Sequence, residues 1–357
     1  FRANAQIGDF LNALLGVFYI NDKVDQTGQL TWGADARNYA SILVQSQTGG
    51  ALDIGGLEGT LGTLEGNPGK YLGTFFKKGT GNDERFTLGD DAFSIFGQFD
   101  VKVAQGLTLT LGGNFTHDSK NYSAAIDSSD TFSKVDLVAD GGTAIYLQGL
   151  ATTIGGPGFL NLGRPATQSE IAGFASGNPA AYQLVSAGSL AFANPHAADP
   201  NYNPFLKLQP YQFLPPFLAV PNSVEDGKLS NSNFSYTIRL AYDLNDNINV
   251  YASYATGFKA ASVNLSRDSR PTLADAAALG AAGLLQVNQT FGSRYADPEK
   301  SAVYEFGVKG NWSGISANLA VFKQEIKGFQ SNIFTGKGFE LGNAGKQSTF
   351  GVEFEGQ

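Results

Sequence analysis

A two-residue alternation of apolar and polar side chains, broken and restarted along the chain, constrains the fold more than any other feature. Phe93, Ile95, Phe99, Val101 and Val103 alternate with Ser94, Gln98, Asp100 and Lys102, and Phe96 is the exception on the polar side. After Ala104-Gln105-Gly106 the alternation resumes as Leu107, Leu109, Leu111 and Phe115 against Thr108, Thr110, Asn114 and Thr116. Successive strand side chains point to opposite faces, so this is a hairpin with one apolar and one wet face. The unit recurs. Phe234, Tyr236, Ile238, Leu240 and Tyr242 alternate with Ser235, Thr237, Arg239 and Asp243, and a turn over Leu244 to Asn247 leads to Ile248, Val250 and Tyr254. Tyr251 lies on the other side of that last strand and leaves its outward face open. A third unit joins Ala302, Tyr304, Phe306, Val308 and Trp312 through Ser313-Gly314 to Ile315, Ala317, Leu319 and Val321. Single strands at Ala13 to Ile20 and Ser348 to Glu355 bring the set to about eight.

The connections alternate between tight turns and long excursions at about 21–91, 118–232, 259–300 and 328–347. A soluble sandwich gives no reason for that regularity, whereas a transmembrane barrel has short turns on one side and long loops on the other. Strands of roughly ten residues are long enough to cross the hydrocarbon when tilted. Tyr242, Tyr251, Tyr254, Tyr304 and Trp312 lie near strand ends, where aromatic rings settle at the lipid–water boundary. The expected fold is all-β: an antiparallel up-and-down transmembrane β-barrel, present in part, with residues 1–357 forming one barrel unit.

Composition fits this reading and removes others. The 45 glycines and 16% charged residues suit many strands and turns, and mean hydropathy is −0.13 with no apolar run long enough for a spanning helix. Barrel strands show one face to lipid, so their alternating polar residues cancel that signal. The net charge of −8 with scattered basic residues argues against nucleic acid as a partner. The absence of cysteine removes disulfides, thiolate nucleophiles and Cys-ligated metals. Methionine is absent even at position 1, so the chain reads as processed or as a fragment.

The long excursions carry structure of their own. Thr167 with Glu170 reads as a capping box ahead of Ile171 and Phe174, and Pro271 precedes an alanine-rich run to Leu285, so short helices are expected there. Tyr202, Phe205, Tyr211, Phe213 and Phe217, set among Pro204, Pro210, Pro215 and Pro216, form a stiff aromatic stretch and the candidate ligand- or partner-contact surface. Arg239, Asp243, Glu305 and Lys309 fall on the wet face, as a solvated wall or as a row that pairs internally or contacts whatever fills the lumen. Only His117 and His196 could serve an enzyme or a histidine metal site. His117-Asp118-Ser119 has the residue types of a triad, but neighbours in sequence are not a triad, so neither catalysis, nor a metal, nor a cofactor is expected.

Several motifs, in order, resemble one family. Tyr251-Ala-Ser-Tyr-Ala-Thr-Gly-Phe-Lys259 followed by Asn264, Tyr295-Ala-Asp-Pro-Glu-Lys-Ser, Tyr304-Glu-Phe-Gly-Val-Lys309, Asn343-Ala-Gly-Lys346 and Gly351-Val-Glu-Phe-Glu-Gly356 are similar to barrel segments of TonB-dependent receptors. Gly113-Asn-Phe-Thr-His-Asp-Ser-Lys120 resembles another strand end of that family. The resemblance implies a barrel of 22 strands, with a plug domain, a TonB box and further strands outside this chain. It implies a place in the outer membrane of a Gram-negative bacterium, contact with lipid, coupling to TonB-ExbB-ExbD, and energised import of a nutrient such as a siderophore, cobalamin or an oligosaccharide. Lys259 and Asn264 match a segment that reads as architectural. The alternative is a structural or docking barrel within a larger surface assembly, its protein partner bound at the loops.

Overall fold

The computed structural model describes residues 1–334 and 339–357. Nine strands form one antiparallel sheet: β1 (Arg2–Ile7), β2 (Leu11–Thr31), β3 (Gly81–Ala104), β4 (Leu107–Ser128), β5 (Lys228–Asn245), β6 (Ile248–Lys259), β9 (Glu299–Trp312), β10 (Ile315–Phe334) and β11 (Phe339–Gly356), each beside its sequence neighbour in the sheet. The two-residue strands β7 (Ser262–Val263) and β8 (Tyr295–Ala296) pair separately between β6 and β9. β1 and β11 are the edges, so the wall is an open segment of a barrel.

One strand escaped the sequence. Ala3, Ala5 and Ile7 alternate with Arg2, Asn4 and Gln6, but alanine gives almost no hydrophobic signal. Strands are also longer than the expected ten residues: β3 has 24 and β2 has 21. The outer end of β2 is polar on both faces, so no period marks it, and that of β3 sets only Phe86 and Leu88 among charged and polar residues. The excursion expected at 21–91 begins only after Thr31 and ends at Gly81, and that at 118–232 runs from Ser128 to Lys228. Most of the loop expected at 328–347 is strand, closing on a Phe334–Phe339 pair; Gly328, Gly342 and Gly345 gave it the look of a loop.

Register fixes the two faces. Val17, Ile95, Phe115 and Phe234 lie side by side on four strands, all exposed; four repeats of the pleat below, Leu107, Tyr242, Val250, Val308 and Leu319 form a second row, exposed or half-buried. This is the lipid face, and Leu109 and Leu111 belong to it beside Leu240 and Ile238. The rings of Tyr236, Tyr254 and Tyr304 follow one another at 5.8 and 4.8 Å along its outer edge. That edge slopes across the strands. Phe93 on β3 is level with His117, whereas Tyr254 and Tyr304 are level with Leu111, six positions lower on β4. Six residues at ~3.4 Å against four strand spacings at ~4.8 Å give a tilt of roughly 45°, as barrel closure requires.

Above the wall the connections fold into helices: α1 (Ala36–Gln47), α2 (Ile54–Leu64), α3 (Leu137–Gly155), α4 (Gln168–Gly177), α5 (Pro179–His196) and α6 (Ala276–Ala281). Thr167 and Glu170 form the reciprocal capping box of α4, and α6 follows the turn after Pro271. Phe75, Leu57 and Leu61 of the first connection pack with Phe132, Leu137 and Leu208 of the second. Glu58, fully buried, receives two 2.7 Å bonds from Arg37 and main-chain bonds of 2.8 Å from Gly73 and Phe75. Burial pushes its carboxyl up, but these donors outweigh it and hold the group below the ordinary carboxylate range.

Candidate functional site

The inward face carries polar groups in register. One rung holds Asp100, Thr110, Arg239, Ser253 and Glu305; the next holds Ala241, Tyr251 and Gly307; the one below holds Asp243, Asn249 and Lys309. The four charged residues expected on this face are therefore the corners of a patch, and Tyr251 is its centre. Its hydroxyl donates to Glu305 Oε1 at 2.6 Å. The Arg239 guanidinium lies 4.3 Å from its ring centroid and the Lys309 ammonium 5.4 Å, so one ring serves two cations. Asp243 stands apart and accepts from Asn249 at 2.8 Å. No ion pair joins these four charges among the described residues, and Arg239 Nε is buried without a partner there. The inward position of Tyr251 also settles the open face of β6. A Cβ at Gly307 would lie 2.4 Å from the Tyr251 ring, so glycine is what lets that ring lie flat on the wall.

Two further features belong to this face. The exceptional Phe96 turns inward with its ring over Gly16, where a Cβ would be 2.4 Å away. Higher up, Lys120 bridges Asp118 and, at 3.1 Å, Asp90, and Lys120 and Asp118 are both buried. His117 points outward instead, bonded to Ser232 Oγ at 2.8 Å and set against Phe93, whereas Asp118 points inward. Strand alternation thus separates the residues of the apparent triad. His196 stacks on Phe192 at 4.3 Å near Tyr202, far from His117 in the fold's second connection.

The aromatic stretch does not make one surface. Tyr202 is exposed beyond the end of α5, against Phe192 and His196 of that helix, and Phe213 is exposed with its ring 6.1 Å from Trp32. Phe205 is buried in the core shared by the first two connections, with Tyr211 packed against it. Phe217 is buried against Phe86 and Tyr122 on the inward side of the strand extensions. Connections this long need cores of their own, and the largest apolar side chains supply them before any remain for a ligand.

The family-like motifs meet at the outer rim. Asn343 takes the main-chain N–H of Asp297 at 2.7 Å and donates to the carbonyls of Asp297 and Gly328 at 2.8 and 2.6 Å. Gln330 donates to the Ala260 and Asp297 carbonyls at 2.9 Å, and its own N–H goes to Glu299 at 2.6 Å. Lys259 lies 3.6 Å from Glu299, and the Asn264 N–H binds the Arg294 carbonyl at 2.7 Å. These side chains stitch the ends of β6, β9, β10 and β11 together, an architectural role.

The model of the family described as TonB dependent receptor-like, beta-barrel, matches residues 3–357. Among solved structures, the chain is similar to the ferric yersiniabactin uptake receptor FyuA from Yersinia pestis (12% identity, TM-score 0.47, covering 99% of this chain and 31% of that one). It is also similar to the ferric-catecholate import receptor Fiu from E. coli (11%, 0.40, 99% and 34%) and to the FrpB iron transporter from Neisseria meningitidis (11%, 0.39, 99% and 31%). The chain spans about a third of the length of these proteins. The family match, over nearly the whole sequence, places the chain in the TonB-dependent receptor-like β-barrel family.

Proposed function

We propose that the chain forms part of the wall and loops of a Gram-negative outer-membrane receptor. It imports a nutrient too large or too scarce for passive pores, such as a siderophore, cobalamin or an oligosaccharide, with energy from TonB-ExbB-ExbD. The observation that carries the reading is the patch around Tyr251: charges that lack ion-pair partners among the described residues, on the inner face of a lipid-facing wall. Arg239, Glu305, Lys309 and Asp243 there form a contact surface for whatever gates the lumen, while Tyr202 and Phe213, the exposed members of the aromatic stretch, face arriving cargo. Single-channel recording from the intact receptor in a planar bilayer tests the gated reading. It should stay closed; large steady currents would mean an open pore.

A second reading, a docking component of a surface assembly, draws on α5. Leu184 is 77% exposed there, with Leu190 and Phe192 also exposed, and no Asp, Glu, Lys or Arg occurs in that helix. Leu184→Glu would then abolish co-purification of a surface partner and leave uptake intact.

A further inference from the structure

A recess interrupts the lipid face. Gly97 on β3 and Gly113 on β4 are cross-strand partners in the rung that runs from Leu15 to Tyr236, so two adjacent strands lack an outward side chain at the same height. The rung above sets Ile95 and Phe115 over the gap, and the rung below sets Phe99 and Leu111 under it. Leu15 and Tyr236 close its sides, and the space between is a cavity of about 680 Å³ whose lining is almost wholly apolar. The glycines make its floor. A Cβ at Gly97 would come within 2.8 Å of Leu15 Cδ2, and one at Gly113 within 2.9 Å of the Phe234 ring, so a side chain at either position drives a neighbour into the space. Phe93 braces Phe115 from above, with ring centroids 6.2 Å apart, and holds the upper wall in place.

Depth decides what fills it. The outer edge of the lipid face crosses β3 and β4 at Phe93 and His117, and the glycine pair lies four residues below it. That is roughly 14 Å along the strand and about 10 Å in depth at a tilt of roughly 45°, inside the outer half of a hydrocarbon core ~30 Å thick, where water has no access. The recess opens onto the lipid face, so the medium against it is hydrocarbon chain. A lipid tail is as apolar as leucine, and the hydrophobic effect therefore does not choose the occupant here; packing does. An empty recess forfeits the contacts of the side chains around it, whereas a chain lying in it touches a floor and two walls instead of one flat surface. We propose that the Gly97–Gly113 recess is a binding site for one acyl chain of an outer-leaflet lipid, which it retains longer than the lipid along the rest of the wall. The proposal rests on the membrane placement of the wall and not on import.

The test places the full-length receptor in phosphatidylcholine vesicles doped with a phosphatidylcholine that carries a photoactivatable diazirine midway along one acyl chain, and maps the labelled residues by mass spectrometry. Phe115 and Phe306 are a matched pair. Both point to lipid, each two residues below the outer edge marked by His117 and Tyr304, and Phe115 is the less exposed, 39% against 54%. Random contact with surrounding lipid labels Phe306 at least as heavily. A retained chain reverses the order: Phe115 is expected to be labelled several-fold more than Phe306. Gly97→Ala combined with Gly113→Ala, which pushes Leu15 and Phe234 into the recess, should remove that excess. Phe115 labelled no more than Phe306 overturns the site, and so does an excess that survives the double substitution. If the double variant does not assemble, the wild-type ratio decides. Weak labelling of Phe115 in a receptor that sediments as a dimer would give the recess to a second copy and overturn the lipid assignment. Label on neither residue would contradict the membrane placement itself.

Discussion

Tyr251 donates its phenolic hydrogen to Glu305 at 2.6 Å while its ring occupies the space that a side chain at Gly307 would fill. Two neighbouring strands are thereby keyed to each other, and the ring forms the floor on which Arg239 and Lys309 rest. Gly307→Ala should force the ring off the wall and destabilise the barrel by about 1–3 kcal/mol. Tyr251→Phe, which keeps the ring and loses the hydrogen bond, should cost about 1 kcal/mol. Urea unfolding of the refolded receptor in detergent measures both, and a neutral Gly307→Ala would contradict the inward placement of Tyr251.

The two faces of β4 predict opposite responses to one substitution. Leu109 lies between Val101 and Leu240 on the lipid face, so Leu109→Arg should cost about 2–4 kcal/mol near mid-membrane. Thr110 faces inward between Asp100, to which it donates at 2.6 Å, and Arg239, so Thr110→Arg places its cation in water beside one charge of each sign and should cost far less than Leu109→Arg. Equal costs at the two positions would mean that the register or the membrane face is wrong.

Glu225 and Arg294 tie the second connection to the third through a buried fork of hydrogen bonds. Glu225→Gln leaves the Arg294 charge buried and uncompensated, a change worth about 3–5 kcal/mol. Limited proteolysis of the native receptor should then cut within 266–294 far faster than in the wild type, while the barrel itself persists. Unchanged protection would show that the fork does not hold these connections together.

Stability of the loop cap should fall as pH rises, through Asp140. This residue of α3 is 4% exposed and its Oδ2 has no partner among the described residues. Burial first, then Glu65 and Asp136, push its pKa up to about 7 against the opposing pull of Lys70. The folded cap thus favours the protonated acid. Its advantage is complete below the unfolded value near 3.8 and is lost progressively as pH climbs through about 7. The full span is on the order of 4 kcal/mol. Hydrogen exchange in α3 at pH 5 and pH 8 should show this loss in the wild type and little of it in Asp140→Asn. An identical pH slope in both proteins would contradict the assignment.

The membrane-embedded part of the fold was legible because a strand with one face in lipid and one in water must alternate. That physics wrote Phe93 to Val103 and Leu107 to Phe115 into the sequence. It falls silent where both faces are wet, as from Asp22 to Gln29, and where alanine stands for an apolar residue, as in β1. The inward charges were legible for the same reason, but their convergence on Tyr251 depends on register across β5, β6 and β9, which a single strand does not encode. Gly307 opposite Tyr251 was the one local hint. The aromatic stretch misled because aromatic residues near prolines suit a loop core and a ligand surface equally, and Phe205 and Phe217 went to the core.

Energised import is the central claim, and uptake in living cells tests it most directly. Cells that depend on the full-length receptor for a limiting nutrient, found by growth on a panel of ferric siderophores, cobalamin and oligosaccharides, would be compared with and without TonB. The account predicts that accumulation of the supporting nutrient is lost when TonB is removed, while the receptor remains folded in the outer membrane. Equal accumulation in both strains would contradict it.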